Sequence, residues 1–266
     1  MSATAPSMGI VGHARLLEAV ARKRVVLRLR YPLNTLSQFL TLYLLFLVIF
    51  LGGRAVAPAT ITDSLAGIIV GYLLWTMAMT AFSGLAWNVT REAQWGTLEQ
   101  LFMSPFGFGR VMAVKLVVNV VESFLWGVSI LVLMILTTGE TVAIDPVTVV
   151  PLLLLAVAPA AGMGFLFGGL AVRFKRIENA FQLVQFVLIG LIAAPVTAVP
   201  LAEWLPLAQG SAMLQAAMAE GIAIWDLPAA DLAILAVTAV GYLLAGFLAF
   251  QWCQRWARRA GVMGHY

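Results

Sequence analysis

The chain is predicted to be an all-α integral membrane protein with six transmembrane helices and both termini on the cytoplasmic side. Three observations predict this. Its 266 residues are 62% hydrophobic and only 11% charged, a balance that soluble globular domains do not show. Six apolar runs, at 34–51, 65–87, 116–136, 147–172, 180–199 and 231–250, come close to the ~20 residues that a helix needs to cross the hydrocarbon core. Finally, 15 of the 16 Lys and Arg residues lie in the segments on one side of these runs, leaving Arg54 alone on the other. The positive-inside rule makes the basic side cytoplasmic. The opposite side carries Asp63, Glu140, Asp145, Glu203, Glu220, Asp226 and Asp231.

These features also limit the function classes. A pI near 9.6 would suit a nucleic-acid binder. Here, however, the basic residues flank membrane spans, where they orient the chain and meet anionic headgroups, so the expected partner is membrane lipid and not nucleic acid. The single cysteine, Cys253, can form neither an intrachain disulfide nor a Cys-based metal cluster. No metal site and no catalytic group is expected. The N-terminus lacks a cleavable leader pattern, so the first span is expected to serve as its own insertion signal.

In chain order, residues 1–12 are small and polar enough to be expected disordered. Residues 13–31 read as a cationic, partly amphipathic helix with Leu16, Val20 and Leu27 on one side, lying along the inner membrane surface. Pro32 separates this helix from the first span. Outer loops are expected at 52–64 and 139–146. The fourth span contains Pro159 and the small-xxx-small pair Gly164 and Gly168, which predicts a close helix–helix contact, with a moving hinge at Pro159 as the alternative. Segment 200–227 is apolar but interrupted by Glu203, Pro206, Gln209, Gly210, Gln215 and Glu220. A crossing here would put Arg255, Arg258 and Arg259 outside, so it is predicted as a re-entrant outer segment of one or two short helices, with Trp204 and Trp225 at the interface.

Polar chemistry concentrates in the inner loop 88–110. On a helical wheel Glu92, Gly96 and Glu99 share one face, beside an apolar stripe of Trp95, Leu98 and Phe102. These residues suit a helix that docks into a protein groove, and suit an ordinary solvated hairpin helix equally well. The string Glu92-x-x-x-Gly96-Thr97-Leu98-Glu99-Gln100-Leu101-x-x-Ser104-Pro105 resembles the cytoplasmic-loop signature of ABC-2-type transporter permeases, the membrane subunits of a large class of ATP-driven exporters. Its position between the second and third spans matches that family, as do the interfacial N-terminal helix, the six spans and the re-entrant segment.

The resemblance implies that 92–105 is a coupling helix seated in an ATP-binding subunit. Glu92 and Glu99 would supply polar contacts and Leu98 and Leu101 apolar anchors, with Trp95, Gly96, Thr97, Ser104 and Pro105 completing the element. It also implies that 13–31 is the family's connecting helix. The sequence contains no Gly-x-x-x-x-Gly-Lys-Ser/Thr loop. The chain is therefore expected to bind no cofactor itself, with ATP and Mg held by a separate cytoplasmic ABC ATP-binding subunit. Six spans form half a pathway in this family, so a second permease copy, identical or related, is expected. The family's path runs between the second and fifth spans, which makes Trp75, Met79, Phe82, Gln182 and Gln185 candidates for substrate contact; packing within the bundle or against lipid accounts for them as well.

Glu122 is the one acid well inside a predicted span, where a charge costs about 3 kcal/mol on insertion scales. A packing residue kept neutral or water-paired, a gating or inter-subunit ion pair, and a proton-coupling group all remain open for it. The expected function is a permease exporting a small amphipathic molecule or drug. Export of a glycan or lipid-linked polymer is the alternative within the family, and a passive channel or membrane-complex anchor the alternative outside it. An intramembrane enzyme is disfavoured, because both His13 and His265 lie in terminal segments and no aspartate pair sits at membrane depth.

Overall fold

A computed structural model describes residues 10–56, 58–94, 100–101, 103–174, 177–196 and 198–259. Every regular element among them is helical: α1 (Ile10–Arg30), α2 (Pro32–Val56), α3 (Pro58–Gln94), α4 (Phe108–Thr138), α5 (Pro146–Phe174), α6 (Glu178–Ile192), a 3-10 turn (Pro200–Trp204), α7 (Ala208–Met218) and α8 (Ala229–Arg259). Proline opens α2, α3 and α5, where its missing N–H costs nothing and its fixed φ suits the first turn. Five helices, α2, α3, α4, α5 and α8, are long and apolar enough to cross a membrane, so the chain is a multi-pass membrane protein.

Two expectations need correction. The run at 180–199 is helical only to Ile192, and the 15 residues of α6 span about 22 Å against a core of about 30 Å. Pro195 explains the stop, because its ring disfavours helix at Ala194. The outer loop expected over 52–64 is instead mostly helix, with α2 reaching Val56 and α3 starting at Pro58. The segment 200–227 does form short elements. Its one α-helix, α7, has 11 residues and buries Gln209, Ser211, Met213, Leu214 and Met218 against the bundle, while Trp204 and Trp225 are exposed. Leu207 precedes α7 in the left-handed region at φ 72°, a conformation costing about 1 kcal/mol that its fully packed side chain helps to hold.

The bundle is built around α5, which packs most extensively on α8 and α3. Glycines permit this on two sides of the helix. A Cβ on Gly164 would lie 2.8 Å from the Phe82 carbonyl oxygen of α3, and Gly168 faces Val89 one turn further on, so the predicted small-residue contact is to α3. Gly162 meets the backbone of Tyr242, Leu243 and Gly246 on α8. α5 passes through Pro159 as continuous helix. α2 is peripheral, with 11% of its most apolar window buried against 67% for α3, and so presents most of its surface to whatever surrounds the bundle.

At the end opposite the basic residues, Asp145 caps α5. Its carboxylate accepts hydrogen bonds from the N–H groups of Val147 and Thr148 and, at 2.6 Å, from the Thr148 hydroxyl. The Thr148 oxygen in turn accepts from the Ile224 N–H, tying α5 to the segment after α7. The Thr148 hydroxyl bond, with the two N–H groups, holds the Asp145 carboxyl below its ordinary value. A depressed carboxylate pKa stabilises above the unfolded pKa, and this stabilisation is lost as pH falls through the folded one. Asp145→Ala should therefore lower the melting temperature at neutral pH and flatten its decline on acidification, as read by tryptophan fluorescence. Parallel pH profiles for the two proteins would contradict this role.

Candidate functional site

Among the described residues, the densest polar cluster lies at the basic end, where α1 runs beside α4. The side of α1 facing the bundle carries Leu16 and Val20 and then, at the same helical spacing, Arg24 and Arg28. The row thus changes from apolar to cationic as it passes along α4, whose Asn119, Glu122 and Trp126 share a face. The Arg28 Nε donates to Glu122 Oε1 at 2.9 Å, and its Nη2 reaches the same oxygen. Arg28 Nη1 donates to Gln38 Oε1 of α2 at 2.9 Å, and the guanidinium sits 5.0 Å from the Trp126 ring centroid. Arg24 Nε faces Glu122 Oε2 at 3.4 Å.

Asn119 ties this cluster to α3. It is buried, and its amide donates to the carbonyls of Thr80 and Ala81, while its oxygen accepts from Arg24 at 3.4 Å. Gly84 leaves the space that the Asn119 side chain fills. Burial pushes the Arg24 guanidinium below its ordinary pKa; Glu122 opposes the shift, and Arg28 and Arg91 add to it. Glu122 is therefore paired within this chain. It lies about four turns into α4, because that helix begins at Phe108, well before the apolar run does.

A second carboxylate closes the cluster. Glu92, near the end of α3, accepts from Lys115 of α4 at 3.2 Å and lies 3.8 Å from Lys23 of α1. One acid so joins three helices. Around Glu92 and Glu122 stand five cations, Lys23, Arg24, Arg28, Arg91 and Lys115, leaving a local charge of about three positive units.

Of the expected coupling residues, Trp95, Gly96, Thr97, Leu98 and Glu99, with Phe102 of the adjoining stripe, lie outside the described residues. Both flanks of that segment are anchored. Glu92 holds the α3 side by its ion pairs. On the other side Leu101 packs on a small apolar cluster, Ser104 accepts from the Phe106 N–H at 3.4 Å, and Pro105 is exposed in the turn. Phe108 then stacks on Phe250 with ring centroids 5.5 Å apart, and Phe250 meets Phe165. The residues on either side of the undescribed stretch 95–99 are thus both packed on the bundle.

The five substrate-path candidates separate. Trp75 and Met79 are half-buried along one row of α3. Phe82 is fully buried and packed edge-on between Phe167 at 5.6 Å and Phe181 at 6.0 Å, so it is a core ring in this chain. Gln182 is exposed on α6 beside Leu183 and Phe186, and Gln185 is half-buried.

Sequence reasoning did not find Arg24 and Arg28 as the partners of Glu122. The signal was there in the apolar-to-basic row of α1, but that row does not say which helix it meets. Comparison with known proteins adds no identity: no protein-family pattern matches the chain. No curated protein matches it either.

Proposed function

We propose that this chain is the permease subunit of an ATP-driven ABC exporter, similar to the ABC-2 type, moving a small amphipathic molecule across the cytoplasmic membrane. The observation that carries the reading is the string 92–105, whose two described flanks are packed on the bundle. The Glu92–Leu101–Pro105 string bears the sequence that resembles a coupling helix. Its ends are fixed by the Lys23–Glu92–Lys115 ion pairs and the Phe108–Phe250 stack. A docking element whose flanks belong to α3 and α4 would pass a push from a partner into those two helices.

In this reading the basic end is cytoplasmic and both termini are inside. α6 and the turns after it form the sixth crossing, and the 3-10 turn with α7 forms the re-entrant outer segment. A cytoplasmic ATP-binding subunit supplies ATP and Mg chemistry, and a second permease copy completes the path. Closure of two ATP-loaded partners would then move the paired loops and shift the spans between inward- and outward-open arrangements.

The test is purification of the tagged chain from native membranes in mild detergent, with identification of what accompanies it. An ATP-binding subunit should co-purify with the wild type and be lost from the Gly96→Trp variant. Glu92→Ala should keep membrane insertion while weakening the same association. Transport and association unchanged in both variants would overturn the reading.

A further inference from the structure

We propose that the face of α1 turned away from the bundle docks an anionic phospholipid, with the headgroup phosphate at Arg15 and Arg22 and the acyl chains over Val26, Leu29 and Leu33. The bundle uses only part of the cationic charge of α1. Arg24 and Arg28 are engaged with Glu122, and Lys23 is shared with Glu92. Arg15 and Arg22 stand two turns apart on the opposite face, exposed and without an ion-pair partner among the described residues. Between them the same helix face forms an open, shallow depression bordered by Arg15, Glu18, Ala19, Arg22, Lys23 and Val26. Its charged groups are three cations and the Glu18 carboxylate, so it stays net positive. On the other side of α1, Arg24, Arg28, Arg91 and Lys115 outnumber Glu92 and Glu122 and add to the same potential.

The apolar continuation selects a lipid over other anions. Beyond Arg22 the same face becomes Val26 and then Leu29, which is 76% exposed. Across the elbow at Tyr31 it continues onto α2 as Leu33, Leu36 and Leu40, all exposed, on the least buried of the five long helices. A site that is cationic for two turns and then mainly apolar along the start of a membrane-crossing helix, with exposed Arg30 the one cation near the elbow, has the polarity profile of a phospholipid, headgroup first and chains after. A soluble phosphate has no use for the apolar part. This inference depends on the chain being a membrane protein and not on the transport reading.

The experiment places the intact chain in nanodiscs of phosphatidylcholine doped with phosphatidylglycerol and measures retained lipid by native mass spectrometry. The wild type should retain phosphatidylglycerol above its share of the bilayer. R15Q/R22Q should lose roughly tenfold or more of that preference, since each surface cation contributes several-fold to binding of anionic lipid. R54Q, an exposed cation at the opposite end, should lose none. Shielding of Cys253 from a thiol dye should be equal in all three, showing that the fold is kept. Equal phosphatidylglycerol retention by R15Q/R22Q, or equal retention of phosphatidylcholine by the wild type, would overturn the proposal. So would loss of a co-purifying protein from R15Q/R22Q with lipid retention unchanged, which would assign the face to a protein partner.

Discussion

Gly246→Leu should break the packing of α8 on α5, at a cost of about 3 kcal/mol or more. Gly246 lies against the backbone of Gly162, where an added Cβ would run into the Gly162 carbonyl and come 2.8 Å from its Cα. Both sides of this contact are main chain, so no rotamer change relieves it, and the two helices must separate along their whole seam. The protein carries its own reporter. Cys253 is the single cysteine, is 2% exposed, and sits at the same seam against Gly169. A thiol-reactive fluorophore in detergent should label Gly246→Leu well below the wild-type unfolding temperature. Gly241→Ala on the same helix has open space around it and should unfold at the wild-type temperature or slightly above, because alanine favours helix by up to about 1 kcal/mol. Matching melts for Gly246→Leu and wild type would contradict the seam.

The second large effect is electrostatic. Glu122→Leu leaves Arg24 and Arg28 facing each other without their shared carboxylate, in a site where the three side chains are 12–29% exposed. Removing one member of such a partly buried group costs about 3 kcal/mol, most of it the stranded charge and not the lost attraction. Glu122→Gln retains one acceptor oxygen, enough for Arg28 at the position of Oε1, and should cost less. Glu122→Leu combined with Arg28→Met should recover part of the loss, because it removes one stranded cation and leaves the Trp126 ring a thioether to pack against. The damage should appear first at α1, as protease cleavage within residues 10–30 of the folded protein. Resistance of α1 in Glu122→Leu equal to the wild type would show that these ion pairs do not hold it.

Much of the fold could be read from local pattern. Apolar runs bounded by Pro32 and Pro146 became helices that begin at those prolines, because the proline effect acts on its own turn. The Gly164/Gly168 pair announced a close contact for the same local reason, although nothing in the spacing named α3 as the partner. Segment 200–227 holds a 3-10 turn and one 11-residue helix, since its polar residues and Pro206 leave no uninterrupted run. Pro195 carried the stop of α6 and was outweighed by the surrounding hydrophobicity. Gly52 and Gly53 looked like loop, yet a helix end in an otherwise apolar run tolerates them.

The site was legible in its acids and not in its pairings. Glu92 and Glu122 stand out as carboxylates among basic and apolar neighbours. Their cations, however, arrive from α1, and the Arg28–Glu122 pair closes a separation of 94 residues. Helical periodicity says which residues share a face, while the partner of that face is chosen by packing of the whole bundle. The same limit explains Phe82, whose place on the second apolar run suited a path-lining ring equally well until Phe167 and Phe181 closed over it.

The most direct test of the central claim is a photo-crosslinking amino acid at Leu98, in the sequence between Glu92 and Phe108, irradiated in intact membranes and followed by mass spectrometry of the adducts. The account predicts one dominant adduct to an ATP-binding subunit, diminished in a Glu92→Ala background that loosens one end of the loop. Adducts confined to this chain or to lipid, with no nucleotide-binding protein among them, would contradict it.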